Sequence, residues 1–147
     1  MNNLGGYKSI ELIFVNELAI FAITSSGIFI RKNQEKQRLL PMHQNGAAAE
    51  ASPQIEKAGT LYTHKATIKI SSSRLSKQLH TELNHVDTRG CILIATTNNN
   101  ERRVFGHSLY PLFGSFSEIP GQKPSDNHYY ELTLSAQCTT PALSLTE

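Results

Sequence analysis

The sequence predicts a mainly β fold with one α-helix (α+β), an antiparallel sandwich or partly open barrel of six to eight strands with the helix packed on the sheet. Three observations carry that expectation. Residues 60–70 and 129–138 alternate apolar and polar side chains with the period of a half-buried strand. Residues 91–95 are apolar on both alternating faces, as in a strand covered from two sides. Only Leu75, Leu79, Leu83 and Val86 recur at helical spacing.

In chain order, residues 9–15 and 18–24 are β-branched and aromatic and flank the polar pair Asn16 and Glu17, which predicts two strands joined by a tight turn. Ser25, Ser26 and Gly27 punctuate, and residues 27–30 form another short apolar piece. Residues 31–58 then change character, with two prolines, a glycine, an alanine triplet and many amides. They are expected to form a long loop or arm inserted between strands, a length usually functional or disordered. Leu39, Leu40, Pro41 and Met42 are the apolar residues such an arm would bury against a neighbouring subunit.

After the strand at 60–70, the serines at 71–73 are placed to cap the helix. Residues 97–101 make a turn, asparagine being the non-glycine residue that best tolerates positive φ, and 102–106 return as the second strand of a hairpin. Residues 117–128 hold Pro120, Gly121, Pro124 and Asp126 and predict a loop before the strand at 129–138.

Composition narrows function mainly by exclusion. The 147 residues suit a single domain spanning 1–147. A net charge of +2 is too small for an electrostatic footprint, which argues against a nucleic-acid partner. The local cluster Arg31, Lys32, Lys36 and Arg38, interrupted by Glu35, is expected to be a solvated loop. The apolar stretch at 10–30 is broken by Glu11, Asn16 and Glu17, and its cleaner part is too short for a spanning helix of roughly 20 residues, so no membrane partner is expected. No cationic start and small-residue cleavage site mark a signal peptide. Cys91 and Cys138 lie far apart in apolar runs and are expected to be buried small hydrophobes in a reducing compartment.

No chemistry assembles from the remaining residues. His80 and His85 are five apart, about 140° round a helix, an awkward arrangement for shared metal ligation. His64, on the apolar face of its strand, is expected to be a buried histidine satisfied by a neighbour. His107 follows Gly106 with no nucleophile-elbow serine and no partner carboxylate in sequence, and the acidic residues are scattered singly. The expectation is a noncatalytic protein with no metal and no cofactor.

The combination of VNELAIFAI near the start, GTLYTHKATIKI before the helix and NNNERRVFGHSLYPL after it resembles a small family encoded in prophage-like regions. That resemblance covers most of the chain outside 31–58 and rests on structural patterns, so no site residue carries over from it. It implies a phage tail or virion-associated structural role, in which a twisted sheet, a packed helix and a long arm or hairpin contact the next subunit of a ring. It also implies a cytoplasmic (host cell) or virion location.

The expected function is therefore a self-associating structural subunit of a phage-like assembly, a homo-oligomer or a partner of other assembly proteins. Its contacts are expected through the arm, at Leu39, Leu40 and Met42, and through the hairpin, at Arg102, Arg103, His107 and Tyr110. Tyrosine and arginine are enriched at interfaces. The alternative is a binding module for a peptide, glycan or small ligand, with Tyr110, Phe113 and Phe116 as an aromatic platform.

Overall fold

The structure, a computed structural model, describes residues 7–33, 38–56, 59–71, 75–119, 129–138, 141 and 143–146, with the side chains of 42–48, 54, 56, 71, 119, 129 and 146 outside that description. In chain order the strands are β1 (Tyr7–Phe14), β2 (Leu18–Thr24), β3 (Gly27–Lys32), β4 (Met42–Glu56) and β5 (Gly59–Ser71). The helix α1 (Lys77–Leu83) follows, then β6 (Cys91–Thr97), β7 (Arg102–Phe105), β8 (Phe113–Ile119), β9 (Tyr129–Cys138) and β10 (Leu143–Thr146). They form a six-stranded sheet in the order β1-β6-β7-β10-β3-β2 and a four-stranded sheet in the order β4-β5-β9-β8. The mainly β sandwich with one helix is thus as expected, with ten strands among the described residues where six to eight were anticipated.

Hydrophobic period explains how the layers meet. Leu12 and Leu93 face each other across β1 and β6 and join Ala66, Ile68, Ile70, Leu132 and Leu134 of the second sheet in the main core. The alternate residues Ile13, Ile92 and Ile94 point the other way, into a second cluster with Ile28, Val104, Phe21 and Leu145. Residues 91–95 therefore have both faces covered, as their sequence predicts. Each fully buried aliphatic side chain contributes about 1.5–3 kcal/mol relative to exposure.

The helix is shorter than its periodicity suggests, and its cap is Ser76, whose Oγ accepts from the Leu79 N–H. Ser72 and Ser73, among the serines expected to cap it, lie outside the described residues. Leu83 and Val86 are buried in the main core, and Leu75 and Leu79 pack against it. The Gly114 N–H also donates to the Val86 carbonyl at 3.1 Å, tying the end of the helical segment to β8.

Three local expectations are corrected. β1 and β2 are not a hairpin: β1 pairs with β6 and β2 with β3, at opposite edges of the six-stranded sheet. A one-turn 3₁₀ helix, Val15–Glu17, links them, and the Phe14 N–H donates to Glu17 Oε1 at 3.1 Å. The second face of β1 carries Ser9, Glu11 and Ile13, and β2 and β3 cover it, packing Leu18, Phe21, Ile28 and Ile30 into the cluster of Ile13 and pairing Lys32 with Glu11.

The long loop or arm expected at 31–58 is instead largely strand. β3 continues through Lys32, residues 38–40 lie along the edge of β1, and β4 pairs with β5. The Leu12 N–H donates to the Arg38 carbonyl at 3.0 Å and the Leu40 N–H to the Ile10 carbonyl at 3.0 Å. Alanine, glycine and proline are poor strand formers, but pairing to β5 outweighs that preference. Pro53 is tolerated because an edge strand need not donate on its outer side. Residues 34–37 and 57–58 lie outside the described residues.

The loop expected at 117–128 likewise begins later than anticipated, since β8 runs through Ile119 and pairs with β9 down to Ile119↔Tyr129. Residues 120–128 lie outside the described residues. By contrast, the hairpin of β6 and β7 is as expected, and its positive-φ turn residue is Asn100, at φ 66°. Thr97 Oγ1 accepts from the N–H groups of Asn99 and Glu101, holding that turn.

Candidate functional site

Two projecting elements leave large apolar side chains in water. The first is the tip of the β4–β5 hairpin. Its pairing runs out to Glu56↔Gly59, whereas among the described residues β9 joins β5 only from Tyr62 inward. Ile55 on this two-stranded tip is 86% exposed. The second is the loop after β7, where Leu109 is 75% and Tyr110 49% exposed.

These two elements share one end of the molecule. Tyr62 is the register partner of Cys138, whose Sγ donates to the Tyr110 carbonyl at 3.5 Å. The hairpin tip begins immediately beyond Tyr62, so the loop sits at its base. Loop conformation is fixed locally: His107 and Tyr110 exchange backbone hydrogen bonds of 3.2 and 3.1 Å, and His107 Nδ1 accepts from the Leu109 N–H at 3.0 Å. The imidazole packs edge-on against Phe21, with ring centroids 4.8 Å apart, and tilted against Tyr110 at 5.9 Å. Burial there lowers the His107 pKa below its ordinary value.

The expected contact residues divide between surface and core. Leu39 is exposed beside Glu11, but Leu40 is only 5% exposed and belongs to the main core, which corrects its assignment to an interface. The cause is the covering of the β1 edge by residues 38–40. Met42 opens β4 opposite Ile70, and its side chain lies outside the described residues. Arg102 is half-buried opposite Thr96. Arg103 is exposed, 3.9 Å from Glu101.

Arg103 lines an open cleft of about 350 Å³ with Tyr7, Glu50, Glu101, Phe105 and Pro141. The Tyr7 hydroxyl donates to the Ala49 carbonyl at 3.1 Å, and burial raises its pKa against the opposing pull of Arg103. The aromatic platform does not come together. Phe116 lies on the core side of β8, stacked on Tyr130 at 5.1 Å, while Phe113 sits on the opposite face and is exposed.

Of the basic cluster expected to be solvated, Arg31 is exposed and Lys36 lies outside the described residues, but Arg38 and Lys32 correct the expectation. Arg38 is 8% exposed: its guanidinium makes a bidentate pair with Glu17 at 2.7 and 3.1 Å, donates to Glu82, and lies 5.0 Å over the Phe14 ring. Its pKa is raised, chiefly by the hydrogen bonds to Glu17. Lys32 pairs with Glu11 at 2.7 Å beside it. A recess of about 180 Å³ is lined by Leu12, Ile13, Asn16, Glu17, Lys32, Asn33 and Arg38. The acidic residues that interrupt the apolar N-terminal run were the available signal for this network, because a carboxylate in a core strand needs a cationic partner.

His64, His80 and the two cysteines are engaged in the fold. His64 is fully buried, and its Nδ1 accepts from the Gly106 N–H at 3.0 Å, the neighbour its sequence position called for. Cys91 and Cys138 are buried and free of any disulfide, and burial pushes their thiols up to about 12 and about 11 respectively. They are held as unreactive thiols at neutral pH. His80 packs edge-on against Phe116 and Tyr130. Among the described residues no cluster of His, Cys, Asp and Glu could hold a metal ion, and no helix is long and apolar enough to cross a membrane.

Ile55 and Leu109 were not singled out from the sequence. Ile55 is an isolated apolar residue in a polar, turn-rich stretch and Leu109 opens the apolar and aromatic run 109–113, so only the three-dimensional arrangement shows that both are exposed at one end. Comparison with known proteins finds no matching family model, curated protein or solved structure.

Proposed function

We propose that this chain is a noncatalytic structural subunit that associates with copies of itself, of the phage-like tail or virion class that its sequence resemblance implies. The observation that carries the self-association is the placement of Ile55, Leu109 and Tyr110, on two independent projecting elements, at one end of the sandwich. Exposed apolar side chains on a hairpin tip and a loop at one end of a sandwich are suited to insert into a neighbouring subunit. The arm expected from sequence is thereby replaced by a β-ribbon whose backbone is already ordered, which lowers the entropy lost on association.

Light scattering over a concentration series tests this reading, using the full chain and the double variant Ile55→Ser, Leu109→Ser. The expected result is a mass that grows with concentration for the wild type and at least about a tenfold weaker association for the variant, the loss of two interface anchors. Both side chains are exposed, so the variant should retain the wild-type unfolding midpoint. A wild type that stays monomeric throughout overturns self-association and favours the ligand-binding alternative.

A further inference from the structure

We propose that residues 106–110 form an acid-released loop, clasped at neutral pH by two imidazoles that each accept a backbone N–H of the loop and let go when protonated. His64 Nδ1 accepts from Gly106 and His107 Nδ1 from Leu109, both at 3.0 Å. An imidazolium has no lone pair at either nitrogen, so protonation converts each acceptor into a donor facing another donor. The clasp is lost and the opposed N–H groups repel.

The two histidines hold the loop from different layers. His64 belongs to β5 in the four-stranded sheet, while Gly106 leaves β7 of the six-stranded sheet at φ 95°. This bond therefore ties the two sheets at the root of the loop, and the His107 bond fixes the tip that presents Leu109 and Tyr110. His64 also meets the Phe105 ring edge-on at 6.0 Å, so its clasp is part of the inter-sheet packing.

Burial favours the neutral ring of His107. Tyr62 and Cys138 flank His64 on the inward face of β5 and β9. Tyr7, Arg103, Glu50 and Glu101 line the cleft that Phe105 and Ala51, the cross-strand partner of His64, also line. His107 meets Tyr110 of its own loop and Phe21 of β2, a strand without ionisable side chains. Burial lowers the pKa of His107, so its contribution to stability is present above the ordinary imidazole value of about 6.5 and is lost as pH falls through the lower folded value.

This proposal rests on the association reading only for its consequence, that acid weakens self-association by unfixing Leu109 and Tyr110. Release itself is tested on the full chain by amide hydrogen exchange, corrected for intrinsic rates, from about pH 7.5 to about pH 5 across the histidine range. Expected is a loss of about tenfold in protection at Gly106 and Leu109, the size of one net hydrogen bond, with Ile92 and Leu93 unchanged. His107→Asn, whose Oδ1 offers a non-titrating acceptor near the Nδ1 position, should keep Leu109 protected throughout.

Imidazole nitrogen spectra of the wild type give a second measurement that needs no variant. Both rings should be neutral with the proton on Nε2 at pH 7.5, and their titration should track the exchange at Gly106 and Leu109. Protection at both amides that persists after the rings have protonated overturns the proposal. Rings that stay neutral until the whole molecule unfolds overturn it too. Release in acid at a constant monomeric mass supports the clasp and overturns the association reading, so the two are separable.

Discussion

Arg38 shows how much a single side chain can organise. Its guanidinium joins the link after β1, through Glu17, to the helix, through Glu82, and caps the Phe14 ring. Removing one member of a buried ion network is more costly than the network's net worth, because the remaining charges stay in a poorly solvated place. Arg38→Ala should destabilise the protein by about 3 kcal/mol, below the upper end of that range because Glu17 is partly exposed and can turn to water. Arg38→Met should cost less, since its stem still covers Phe14. Urea unfolding midpoints of the two variants check the order, and equal losses would show that packing contributes little. The sequence disclosed the interrupting Glu11 and Glu17 but not this partner, which comes from a different segment and looks like one more basic residue in a polar run.

Among the elements, β8 and β9 approach so closely at Gly114 that a Cβ there would stand 1.6 Å from the Thr133 carbonyl oxygen. The clash is with backbone, which cannot rotate aside as a flexible side chain can. Gly114→Ala should therefore destabilise by about 3 kcal/mol or displace β8 from β9, the upper range of overpacking effects. Thermal unfolding measures the first, and exchange of the β8 amides the second. Elements with an intrinsic pattern were legible in sequence: β5 and β9 alternate cleanly, β6 is apolar on both faces through Ala95, and Asn100 marks its own turn. Those missed were specified by partners. β4 is a strand because β5 offers an edge, and β2 leaves β1 because the second face of β1 needs cover. Of the candidate site, the hairpin after β6 was anticipated with Arg103, His107 and Tyr110 near the surface. Ile55 was not, because exposure on a projecting ribbon is a property of the sheet's outline, which one-dimensional periodicity does not contain.

At the scale of the whole molecule, the two sheets share a main core while the six-stranded sheet carries a second cluster on its other face. That sheet joins two sets of strands. β2 and β3 form one hairpin, and β1 pairs with the β6–β7 hairpin across a long sequence separation, yet neither set pairs directly with the other. β10 lies between them, antiparallel to β7 through Leu143↔Val104 and parallel to β3 through Leu145↔Ile28. Its parallel pairing joins residues near opposite ends of the sequence, so a large loop must close before that ladder gives any return. Such topology places refolding in the millisecond-to-second class rather than with the microsecond helical bundles. Stopped-flow refolding should show this, and a microsecond rate would contradict it. Leu143 and Leu145 of the short strand β10 pack against the second cluster, so the last cover of that cluster depends on the ladder that closes the largest loop.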